Sequence, residues 1–162
     1  MRRERRSVPS SVAALLAFLG LCLLVGAASG SVAADAVRGW YLSLTPPSGT
    51  PPNWVYTPVW TALYIMIGVA GWLVWLRPGA FPALRLWGWQ LAMNAAWSAA
   101  FFGMRSPGLG LLVILMLLGL IGLTMRAFHW RRRAASWLLL PYLAWTLYAA
   151  YLNAGFWWLN RA

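Results

Sequence analysis

Between residues 12 and 158 the chain alternates long apolar runs with short polar breaks. Five runs stand out, at roughly 12–33, 55–76, 84–102, 109–128 and 134–158. Each is close to the roughly 20 residues a helix needs to cross a bilayer core. The breaks hold the turn residues: "RPGAFPALR" after the second run, "RSPG" after the third and "HWRRR" after the fourth. The first break, about residues 35–54, is the longest and is crowded with proline and glycine. The pattern predicts an all-α integral membrane protein, a single domain over residues 1–162 built as a five-transmembrane-helix bundle. No room is left for a soluble domain.

Polar side chains inside the runs predict which faces look inward. A buried amide in lipid costs several kcal/mol unless it finds a partner. Gln90, Asn94, Trp97 and Phe101 recur at i, i+4, i+7 and i+11, which is one helical face. Ala92, Ala96 and Ala100 fall nearly opposite, and Gly26 and Gly30 make a second small-residue pair; such strips let helices approach closely. Packing within the chain is the expected use of both, ahead of a subunit contact. Tyr142, Trp145, Ala149 and Asn153 share a face of the fifth run, and Trp60, Tyr64 and Gly71 a face of the second. Three helices thus offer aromatic, uncharged surfaces. Such a lining suits a large, flat, mostly apolar ligand, and the same spacing also fits a core filled by its own rings.

Composition sharpens the membrane reading. The 162 residues are 62% hydrophobic and 9% charged, with a mean hydropathy of +0.65; soluble domains sit near 45–50% apolar. All 13 basic residues are arginine, the acids are Glu4 and Asp35, and the net charge is +11. The arginines lie between apolar runs, which points to topology and away from nucleic acid. The N-terminus, second and fourth breaks hold Arg2, Arg3, Arg5, Arg6, Arg77, Arg85, Arg126, Arg131, Arg132 and Arg133; the other side holds Arg38, Arg105 and Arg161. The positive-inside rule then places the N-terminus in the cytoplasm and the C-terminus on the outer face of a bacterial cell membrane. "MRRERR", the first apolar run and "SVAADA" also fit a secretory signal with its cleavage site; the length of the run favours a retained span. Trp87, Trp89, Trp130, Trp137, Trp157 and Trp158 lie near run ends, where interfacial anchoring is expected.

Several chemistries have no residues to carry them. No run holds Asp or Glu at depth, and the one histidine, His129, ends the fourth run beside three arginines. Hydrolysis, phosphoryl transfer and a protein-ligated metal centre therefore lack their groups. Cys22 is the only cysteine, so no intrachain disulfide forms.

Three stretches, "PPNWVYTPVWTALY", "QLAMNAAWSAAFFGM" and "PYLAWTLYAAYLN", together resemble the signature segments of the TspO/MBR family, and "WYLSL" at residues 40–44 resembles a weaker fourth. The family comprises tryptophan-rich sensory proteins and translocator proteins. The resemblance implies a five-helix bundle, often a homodimer, that receives or transports tetrapyrroles. Porphyrin or haem is then a ligand, and no cofactor is required. It also implies a ligand pocket lined by Tyr41, Trp54, Asn94, Trp145 and Ala149, with Trp97 and Asn153 as motif residues nearby. In some members two pocket tryptophans are linked to light-dependent porphyrin breakdown, and Trp54 and Trp145 match those two. A regulatory membrane partner without a ligand is the remaining alternative. One departure stands out: many bacterial relatives carry a "KPxW" segment where this chain has Pro46, Pro47, Ser48 and Gly49. Pro51, Pro52 and Pro58 are expected to hold Trp54 and Tyr56 over the outer end of the bundle, placing a pocket there beneath the first connection.

Overall fold

The computed structural model describes residues 8–161, with side chains from residue 10 onward. The expected cytoplasmic arginines Arg2, Arg3, Arg5 and Arg6 lie outside the described residues. Six helices follow in order: α1 Val8–Val37, α2 Tyr56–Trp75, α3 Phe81–Ser98, α4 Pro107–Arg131, α5 Arg133–Trp137 and α6 Leu140–Leu159. No strand occurs among the described residues. Three stretches are long and apolar enough to span a membrane on those grounds alone: Ser10–Val37, Asn53–Trp75 and Pro107–Arg131. α3 carries Gln90 and Asn94, and α6 carries Asn153 and three of the six tyrosines, which lowers their hydropathy without removing them from the bundle.

Helix ends follow local chemistry. α1 runs past the expected loop start at Asp35, because "SVAADAV" contains no breaker before Gly39. α4 begins where the Ser106 hydroxyl accepts from the Leu109 N–H at 3.3 Å, with Pro107 in the first turn. The expected fifth run is broken at Leu138–Leu139. Pro141 has no N–H to return to the carbonyl of Trp137 and disfavours helical backbone at the residue before it. α3 ends in a π turn, Ala99–Gly103, where the Met104 N–H bonds to Ala99 O five residues back at 2.7 Å.

α1 packs on α2 and α3, while α4 packs on α3 and α6. Glycines set the closest approaches. A Cβ on Gly26 would stand 2.6 Å from the Tyr64 ring, and one on Gly71 would stand 2.8 Å from the Trp87 indole. Trp87 is a correction to the anchoring expectation: it is buried, and its Nε1–H donates to Ile67 O at 3.0 Å. Trp89, Trp130, Trp137, Trp157 and Trp158 are exposed. The alanine strip of α3 is a second correction. Ala92 and Ala96 are exposed, and Ala100 alone turns inward, within the π turn.

Gly71→Val should cost about 1–3 kcal/mol of stability through overpacking against Trp87 and Phe18, read as a lower unfolding midpoint in detergent. Gly122→Ala, whose methyl would meet nothing within 4 Å, should leave the midpoint unchanged or raise it.

Candidate functional site

The first connection and the helix ends beside it enclose a cavity of about 540 Å³. α1 supplies its small side, with Gly26, Ala27, Gly30 and Ala34 among the border residues. α2 supplies Tyr56, Trp60 and Tyr64; α3 and its π turn supply Asn94, Trp97, Phe101 and Phe102; α6 supplies Ala149, Asn153 and Phe156. Tyr41, from the short 3-10 turn Trp40–Ser43, closes one side. Among the described residues, no charged one borders the space.

Two asparagines fix this end of the bundle. The Tyr64 hydroxyl donates to Asn94 Oδ1 at 2.6 Å, and Asn94 Nδ2 donates to the Tyr142 hydroxyl at 3.1 Å. One amide therefore ties α2, α3 and α6 together. Asn153 does the same for α3, α4 and α6: its Oδ1 accepts from Trp97 Nε1 at 3.0 Å, and its Nδ2 donates to Pro107 O at 2.6 Å. Gly110 lies so close that a Cβ there would stand 2.9 Å from Asn153 Oδ1. Ser98 adds a tie from α3 to Ser29 O on α1, at 3.0 Å. Gln90, one turn from Asn94, is 1% exposed, and neither atom of its amide has a hydrogen-bond partner among the described residues.

Aromatic rings meet edge-on or tilted around the space. Trp60 lies 5.7 Å from Tyr64 and 6.1 Å from Trp97 between ring centroids. Tyr41 packs 5.2 Å from Phe156 and 5.8 Å from Phe102. Burial raises the Tyr41 phenol above its ordinary range, so at neutral pH it faces the cavity as an uncharged hydroxyl.

The first connection is fastened to α6. Asn160 pairs with the Thr45 backbone, accepting from its N–H at 2.8 Å and donating to its carbonyl at 3.1 Å. The Tyr148 hydroxyl donates to Gly49 O, and the Tyr151 hydroxyl donates to Ser48 O at 3.1 Å. Gly49 adopts φ +84, and Pro47 packs where a Cβ on Gly155 would stand 2.5 Å away. The segment that departs from "KPxW" is thus held through its backbone carbonyls.

Of the residues singled out from sequence, the structure gathers Tyr41, Asn94, Trp97, Ala149 and Asn153 around one space. It leaves two outside. Trp54 is 74% exposed and does not border the cavity. Trp145 sits behind Tyr56, 6.1 Å between centroids, with a buried Nε1 that has no partner. Trp60 and Tyr64 were legible as an inward face. Tyr56, expected over this end, does join the lining from the start of α2, while Phe102 and the α1 glycines join because of the π turn and the path of α1.

An all-helical membrane protein with an uncharged aromatic cavity at one end of its bundle is the class these features define. The chain belongs to the TspO/MBR family, whose profile matches residues 18–159. It is similar to the tryptophan-rich protein TspO of Chlorobaculum tepidum, 43% identical over 139 residues covering 83% of this chain and 88% of that one. It is also similar to the bovine translocator protein, 36% identical over 147 residues covering 85% and 87%. The tryptophan-rich sensory protein of Cereibacter sphaeroides is 35% identical over 141 residues, covering 87% of each chain.

Because Asn94 serves two hydroxyls, Asn94→Ala should destabilise the protein more than Tyr64→Phe, by about 1–2 kcal/mol against about 0.6. Chemical unfolding in detergent, with the Tyr64→Phe/Asn94→Ala double variant closing the cycle, measures both.

Proposed function

We propose that this protein is a membrane receptor or transporter for tetrapyrroles, with a porphyrin as the guest of the aromatic cavity. The observation that carries the reading is the cavity itself: about 540 Å³, walled by Trp60, Trp97, Phe101 and three tyrosines. That volume lies within the range of small-molecule sites, about 300–1,000 Å³. Affinity would come from burial and ring stacking, at about 25 cal/mol per Å² before association costs. Tyrosine oxygens are the only ordinary haem-ligand groups on the wall. The lining therefore favours a metal-free ring held by its faces.

Orientation follows from charge. Arg77, Arg85, Arg126 and Arg131–Arg133 lie at the end opposite the cavity, so the positive-inside rule puts the cavity in the outer half of the bilayer. The exposed Ala92 and Ala96 on α3 support a homodimer formed through that face. Ala96→Trp should then yield monomers by mass photometry in detergent, while an unaltered mass would dismiss that face.

Titration of the purified protein with protoporphyrin IX should give saturable tryptophan quenching. Trp97→Leu, which strips a ring from the wall, should weaken binding at least five-fold. Trp54→Phe and Trp145→Phe should change it by less than two-fold. Linear, non-saturating quenching in the folded wild type would refute the receptor reading. The light-dependent alternative depends on Trp54 and Trp145, which stand outside the wall; it forecasts porphyrin bleaching under illumination that disappears in those two variants.

A further inference from the structure

The opposite end of the bundle carries a second cleft, unconnected with the aromatic cavity. It holds about 290 Å³ and is bordered by Trp75, Arg77, Gly79, Ala80, Phe81 and Leu84. These residues are the end of α2, the turn after it and the start of α3. Arg131, at the end of α4, reaches the same turn: its Nη1–H donates to Pro78 O at 2.9 Å. Gly79 adopts φ +64, and a Cβ there would stand 3.0 Å from Arg131 Nη1. The turn is therefore shaped to admit that guanidinium. The bond to Pro78 uses one of five N–H donors and orients the rest.

Arg77 and Arg131 thus converge on one short turn, with Arg85 one turn into α3 and Arg132 and Arg133 following Arg131. None of these arginines has an acidic partner among the described residues. The sole carboxylate among the described residues is Asp35, near the end of α1 beside the first connection. Beside the charge stands an apolar rim: Phe81 is 72% exposed and Leu84 is half-buried. A soluble anion would use the guanidinium groups and leave the phenyl ring without purpose. A molecule with a phosphate at one end and hydrocarbon at the other uses both.

We propose that this cleft is a headgroup site for an anionic phospholipid. The phosphodiester lies between Arg77 and Arg131, where planar guanidinium groups match phosphate oxygens. The first carbons of an acyl chain lie against Phe81 and Leu84. Basic pockets between membrane helices are the expected place for such lipids. The site does not depend on the tetrapyrrole reading.

The test uses the full chain in neutral detergent at low salt, titrated with phosphatidylglycerol, phosphatidylcholine or free glycerol 3-phosphate. Native mass spectrometry and the unfolding midpoint report binding. Phosphatidylglycerol should bind one per chain and raise the midpoint at concentrations at least five-fold lower than phosphatidylcholine. The Arg77 guanidinium makes no hydrogen bond among the described residues, so Arg77→Gln should keep the lipid-free midpoint and lose at least five-fold in phosphatidylglycerol affinity. Arg38→Gln, which removes a charge at the other end, should lose less than two-fold. Phe81→Ser should weaken the lipid without creating a response to glycerol 3-phosphate. Equal responses to the two lipids would overturn the proposal, as would equal losses in Arg77→Gln and Arg38→Gln. If glycerol 3-phosphate binds as well as the lipid, the cleft is a soluble-phosphate site and the lipid assignment fails.

Discussion

A carboxamide buried among membrane helices has no bulk water to turn to, which creates a demand for partners on neighbouring helices, one that Gln90 leaves unmet among the described residues. Asn94 and Asn153 meet that demand, and the rest of this structure is arranged around how they do so. Asn94 takes a hydroxyl from α2 and gives an N–H to a hydroxyl on α6. Asn153 takes the Trp97 indole N–H and reaches the first carbonyl of α4. Four helices are thereby fixed at one end, and their rings are held apart by polar bonds instead of collapsing onto each other. A cavity persists because the groups that would fill it are tied at its edges.

Small residues complete the arrangement from the other side. α1 has few large side chains facing the space, and Gly26 lets Tyr64 lie directly against its backbone. The π turn at residues 99–103 inserts an extra residue and turns Phe101 and Phe102 together into the wall. The first connection then sits on α6 through Tyr148, Tyr151 and Asn160. Its hydrogen bonds to α6 and Asn160 run through its backbone, and the Pro47 ring adds a side-chain contact with Gly155.

The two ends of the bundle divide their chemistry. One holds an aromatic cavity whose described lining is uncharged. The other gathers arginines with no carboxylate near them among the described residues. A bilayer favours such a division, because the positive-inside rule keeps arginines on one side and leaves the far end free to be apolar inside.

The sequence by itself determined the membrane class, the order of the helices and the inward faces of α2, α3 and α6. Those follow from run length and 3.6-residue periodicity, which act locally. It also marked Asn94, Trp97 and Asn153, because amides and indoles at depth have few places to go. It could not place Trp87, whose position near a run end resembled an anchor until Gly71 opened room for it in the core. Nor could it tell that Trp54 and Trp145 stand outside the wall, that Ala100 leaves the alanine strip, or that Pro141 divides the last span. Each of these turns on a neighbour distant in sequence or on a local change of helical register. Periodicity names a face, and only the packed helices decide what that face meets.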